Sequence, residues 1–111
     1  RANFDLANMH HVQNFEREDF DRMKQWVAYF HAKDRKLNTG WRKLLFGGNR
    51  PAIFGEGNIP WKRALKWFDE YGFEGCLSIE PHVHGRNRME KGRQCVQNLQ
   101  KMLKELGIEF E

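Results

Sequence analysis

The sequence predicts an α/β chain made of three consecutive βα units. Three short apolar runs read as strands: Ala2 to Phe4, Trp26 to Phe30, and Cys76 to Ile79. Segments with helical spacing separate and follow them, so the order is β-α-β-α-β-α. That alternation predicts right-handed crossovers and a parallel sheet. A length of 111 residues supports one domain with one core, and not two.

The first strand is weak and ends at Asp5. The second and third are rich in aromatic or β-branched residues and poor in charge until they end at His31 and Glu80. Strands buried on both faces, as in a parallel sheet, have this character. Glu16 to Lys24 reads as a short helix, with Phe20 and Met23 three apart and acids in its first turn. Trp61, Leu65 and Phe68 mark one face of a second helix. Pro60 is tolerated in its first turn, Asn58 is a candidate cap, and Gly72 is a stop signal. The third helix runs from Met89 to Leu106, where Cys95, Val96, Leu99, Met102, Leu103 and Leu106 recur at helical steps; Gly107 ends it. Between Lys33 and Asn58 lies a long connection containing Gly and Arg. Loops of that length are usually functional or disordered.

Composition narrows the function classes. No run approaches the roughly 18 apolar residues of a spanning helix, so a membrane partner is not expected. An aromatic content of 14% argues for a packed core rather than disorder. The net charge of +4 permits contact with phosphates without demanding it. Arg42, Lys43 and Arg50 lie near Trp41 and Phe46, a mixture that suits single-stranded nucleic acid. The aromatics mostly follow strand and helix periods, however, and read as core, so nucleic acid is not the expected partner. Cys76 in an apolar run and Cys95 in a helical pattern read as two buried free thiols. That fits a reducing, cytoplasmic setting, and no leader pattern is visible at the N-terminus.

The polar residues that close the strands carry the chemistry. In a parallel α/β sheet or barrel, all strand C-termini open onto one face, and ligands bind there. Asp5, His31 and Glu80 therefore converge by architecture although they are far apart in sequence. One imidazole and two carboxylates suit Mn, Mg, Zn or Fe; the alternative for each residue is a cap or a polar loop edge. Asn8, three after Asp5, is able to hydrogen-bond a hydroxyl but not to shuttle a proton. His10 and His11 read as loop histidines. Lys33 and Asp34 follow His31 and face the expected mouth. Lys33 either holds a substrate oxyanion or phosphate, or pairs internally with an acid of a neighbouring loop. Gly55-Glu56-Gly57 reads as a loop-shaping element. His82 and His84 form a metal-competent pair or part of a solvated mouth loop. Arg86, Arg88, Lys91 and Arg93 oppose the dipole at the start of the third helix, which a nearby phosphate would relieve; the alternative is an ordinary solvated face.

Several of these strings together resemble the sugar phosphate isomerase/epimerase family, within the xylose isomerase-like TIM-barrel superfamily. They are His31-Ala-Lys33-Asp34, Gly55-Glu56-Gly57-Asn-Ile59-Pro-Trp61, Leu77-Ser-Ile79-Glu80-Pro81-His82, and the opening Asn3-Phe4-Asp5-Leu-Ala-Asn8-Met9. The resemblance spans nearly the whole chain, with its motifs in order. It implies that residues 1–111 are a C-terminal portion of a (β/α)8 barrel, corresponding to strands six, seven and eight. It further implies a divalent metal (Mn, Mg or Zn) on Asp5, His31 and Glu80. The family adds a Glu from an earlier strand, which has no counterpart in this chain. Glu80 would be catalytic as well as a ligand, and Asn8, Lys33, Asp34 and His82 would meet the substrate.

For the longer protein, the resemblance implies an isomerase acting on a sugar or sugar phosphate through a metal-stabilised enediolate. Relatives also include metal-dependent dehydratases and lyases. A third possibility is a non-catalytic fragment that binds partners through open sheet edges. Those edges predict association with the rest of a barrel or with further copies.

Overall fold

The computed structural model describes residues 2–12 and 14–111, and all of their side chains except those of His11 and Val12. In chain order the elements are β1 (Ala2–Phe4), α1 (Leu6–Val12), α2 (Arg17–Met23), β2 (Val27–Ala32), β3 (Asp34–Leu37), α3 (Gly40–Phe46), β4 (Asn49–Ala52), α4 (Trp61–Tyr71), β5 (Cys76–Ile79) and α5 (Arg88–Glu105). The expected strands form one parallel sheet in the order β1-β2-β5. Three elements depart from the sequence reading. His10 lies in the short helix α1 rather than in a loop, and the side chain of His11 lies outside the described residues. The connection after Lys33 is an antiparallel ribbon of β3 and β4 with α3 at its tip. Asn58 does not cap α4: its Oδ1 accepts the Leu37 amide at 2.8 Å.

The two-residue period of β2 divides the molecule. Phe30 and Ala32 are buried, whereas Tyr29 is exposed and His31 half-buried. The same alternation holds in register on the neighbouring strands. Phe4 pairs with Phe30, and Phe30 with Leu77, on the face covered by helices. Asn3 pairs with Tyr29, and His31 with Ser78, on the opposite face. Successive side chains on a strand point to opposite faces. Cys76 shares its face with Ser78 and Glu80, which is why it is exposed rather than buried as expected; Cys95, on α5, is buried.

The helix side of the sheet carries the core. Phe4, Phe30 and Phe68 contact one another edge-on or tilted, with ring centroids 4.4 to 5.4 Å apart. Such pairs add about 0.5–1.5 kcal/mol each beyond the area they bury. Leu65 of α4 and Leu99 and Leu103 of α5 complete the layer. Helix α4 stops where expected: Gly72 adopts φ 77°, its amide bonds to Asp69 O, and the Phe73 amide reaches back to Phe68 O at 2.9 Å. Only glycine takes that left-handed turn without a steric penalty. In contrast, Trp41 and Phe46, read from sequence as core, are exposed on α3 together with Leu44 and Leu45.

Candidate metal centre

Asp5, His31 and Glu80 meet. One donor atom of each lies within 4.8 Å of the other two. The sheet brings them together through parity: His31 faces away from the helices, and Asp5 and Glu80 directly follow the two flanking strands. The ladder continues to Glu80, whose amide donates to Ala32 O at 3.1 Å.

Each donor has its own support. Asp5 occupies the N-terminal cap of α1. Its Oδ1 accepts the Asn8 amide at 3.0 Å, and its Oδ2 accepts the Asn8 side-chain N–H at 2.7 Å. Capping fixes the carboxylate at the helix start, where the partial positive charge favours it. The His31 ring lies tilted against Tyr29, with ring centroids 5.6 Å apart, and the Asn3 amide nitrogen lies 3.1 Å from its Nδ1. Nδ1 is 3.5 Å from Glu80 Oε2. Glu80 Oε1 is 3.3 Å from Nε2 of His82, so the mouth loop contributes one imidazole to the edge of the cluster.

Lys33 is the residue at the centre. Its Nζ lies 2.7 Å from Asp5 Oδ2 and 3.2 Å from Glu80 Oε2, and its side chain is only 9% exposed. Of the two roles open to it from sequence, it takes the internal pairing, though with the cluster acids. The parity of β2 carries on for one residue, so Lys33 follows His31 and Tyr29 onto the cluster face. Burial works against its ammonium, but the hydrogen bonds it donates to Asp5 and Glu80 outweigh that, and its pKa rises above the ordinary lysine value. For Glu80, slight desolvation is likewise outweighed by Lys33, with help from His82 and His31, and its carboxyl is held below the usual range. Both charged forms are therefore favoured.

Asp34 departs from the expectation of a substrate group at the mouth. One residue further along, it turns to the helix side and is buried. Its Oδ1 accepts the amides of Arg35 at 2.8 Å and Ile59 at 3.2 Å. Its Oδ2 accepts those of Gly55 and Gly57, both at 3.0 Å. The Gly-Glu-Gly segment is thus a loop shaped around an internal carboxylate. A Cβ on Gly57 would overlap Asp34 Oδ1 and crowd Arg35 O, so the close approach requires glycine. Burial raises the Asp34 pKa, and the amide bonds oppose that rise. Trp61 completes the clamp by donating its indole N–H to Lys33 O at 2.8 Å. Sequence reasoning missed Asn3 and Trp61 as supports. It also missed the separation of Lys33 from Asp34, although the two-residue period of a strand carries that signal.

Of the other residues singled out, His84 is exposed, and its carbonyl accepts from Lys91 Nζ at 3.2 Å. Arg93 pairs with Glu90 at 2.9 Å on the solvent side of α5.

The donor set fits a divalent ion. Two carboxylates and one imidazole offer oxygen and nitrogen ligands. A single lysine charge leaves the two acids with residual negative charge.

A family model for the xylose isomerase-like TIM barrel matches residues 1–108. None of the curated proteins matches the chain. Among solved structures, the xylose isomerase domain protein from Planctomyces limnophilus is similar, at 21% identity and a TM-score of 0.68, over 95% of this chain. The chain spans 38% of the length of that structure, and at such identity the likeness concerns the fold. The parallel sheet, the βα order and the family match agree: the chain belongs to the xylose isomerase-like TIM-barrel family.

Proposed function

We propose that Asp5, His31 and Glu80 belong to a divalent metal centre. On this reading the chain is the C-terminal portion, strands six to eight, of a metal-dependent sugar or sugar phosphate isomerase or epimerase. One observation carries it: donors at the C-terminal ends of three separate strands lie within 4.8 Å of one another. The set suits Mn, Mg or Zn. Such an ion supplies Lewis-acid charge for the enediolate that forms when a proton leaves the carbon beside a sugar carbonyl. Glu80, 40% exposed and held ionised by Lys33, would be one of the pair of carboxylates that move that proton, with the Glu of an earlier strand as its partner. Asn8 and His82 flank the acids and offer hydrogen bonds to sugar hydroxyls, and the Lys33 ammonium suits an anionic oxygen. Asp34 shapes the loop beneath them. Titration calorimetry with Mn2+ tests the centre: His31→Ala should abolish binding, and equal affinity in wild type and variant would sink the assignment.

A groove of about 810 Å³ beside the β5 edge favours a second reading, which concerns partners. Phe30, Leu65, Phe68, Leu77, Leu99 and Leu103 are among its lining residues. An open strand edge next to an apolar groove favours association, and the remaining βα units of the barrel are the occupant we propose. Without them the chain should self-associate in light scattering; a compact monomer with a sharp unfolding transition would count against this. No helix among the described residues is long and apolar enough to cross a membrane. The free thiols Cys76 and Cys95 suit a cytoplasmic setting.

A further inference from the structure

The cluster already contains a cation of its own. Lys33 Nζ bonds Asp5 Oδ2 and Glu80 Oε2, an oxygen from each acid of the candidate centre. Its backbone is anchored on one side by the Trp61 indole and on the other by the four-amide grip on Asp34. The ammonium therefore rests on a fixed base, and only its four-carbon stem is free to move it. A divalent ion would need carboxylate oxygens at about 2.0–2.6 Å. An ammonium and a divalent cation drawn to the same oxygens repel each other at contact distance in a partly desolvated site.

We propose that Lys33 is an exchangeable resident cation. It holds Asp5 and Glu80 together while they carry no metal, and it must leave them for a divalent ion to enter. This rests on reading the cluster as a metal centre. Two consequences follow. Lys33 lowers metal affinity, because its charge competes for the same carboxylates. Metal loading also releases a primary ammonium at the rim of the site, where an anionic group of a substrate, such as a phosphate or a sugar oxyanion, becomes its next partner. Lys33 is thus a positioning residue whose partner changes with occupancy.

The wild-type chain gives the first test. Acetylation of Lys33 by an amine-reactive reagent, followed by mass spectrometry, should rise roughly tenfold on saturation with Mn2+, because the metal-free state keeps the amine buried and paired. Calorimetry gives the second. Lys33→Met should bind Mn2+ roughly tenfold to hundredfold more tightly than wild type, as a neighbouring positive charge is removed. Lys33→Arg, which keeps the charge, should return the affinity toward the wild-type value. If wild type binds Mn2+ but Lys33 labelling stays constant and Lys33→Met binds no tighter, the exchange is refuted and the metal centre stands. If wild type, Lys33→Met and His31→Ala all fail to bind, the metal centre is refuted and the exchange with it. Should Lys33→Met not fold, labelling of the wild-type chain decides alone.

Discussion

Asp34 on the helix side and the Asp5–Glu80 pair on the cluster face use the same chemical group to opposite ends. Asp34 is buried and held by four backbone amides that cannot leave without unfolding the loop. Asp5 and Glu80 share one lysine ammonium on a flexible stem. A carboxylate saturated by backbone is a structural fastener. A carboxylate paired with a mobile side chain can change partners, which a binding site requires. The nature of the partner, more than the nature of the acid, separates scaffold from site.

The largest effect should come from breaking the fastener. Asp34→Ala leaves the amides of Arg35, Gly55, Gly57 and Ile59 without their acceptor and should cost about 2–3 kcal/mol in denaturant unfolding. A loss below about 1 kcal/mol would erase the contrast. The matching change on the other face, His31→Ala, should alter stability by no more than about 1 kcal/mol while removing metal binding, because the imidazole is partly exposed and packs on one ring. A stability loss as large as that of Asp34→Ala would make His31 scaffold.

The smallest effect lies in pH dependence, where the two acids differ in sign. The folded-state pKa of Glu80 is below its usual 4.5, so its contribution to stability is present above pH 4.5 and is lost as pH falls through the folded value. Burial places Asp34 above its usual 3.8, so the protonation-linked part of its contribution is present below pH 3.8 and is lost as pH rises through the folded value, while its four amide bonds still hold the loop. Glu80→Gln and Asp34→Asn should therefore change the acid limb of a stability-against-pH curve in opposite directions. Changes of the same sign would contradict the assignment of environments.

Much of this was legible in sequence. Phe4, Phe30 and Leu77 marked the strands, Trp61 to Phe68 and Cys95 to Leu103 marked the helices, and the acids and imidazole closing the strands marked the cluster. Cys76 was misplaced because an apolar run does not reveal which of its alternating residues faces the helices. The ribbon β3–β4 was missed because Asp34 to Leu37 carries three charged residues and little periodicity. Its pairing with Asn49–Ala52 is fixed by backbone bonds that leave no hydrophobic pattern. Trp41 and Phe46 show the converse error: aromatic residues do not announce burial when the helix carrying them stands exposed.

The sequence alone determined the βα order and, through it, the meeting of Asp5, His31 and Glu80, because parallel strands bring their C-terminal ends to one side whatever the packing details. Only the tertiary structure decided that Lys33 turns into that cluster while Asp34 turns into the loop at Gly55–Ile59. Those choices depend on partners 21 to 47 residues away. Local periodicity constrains the direction of a side chain, but the group waiting there is supplied by the fold.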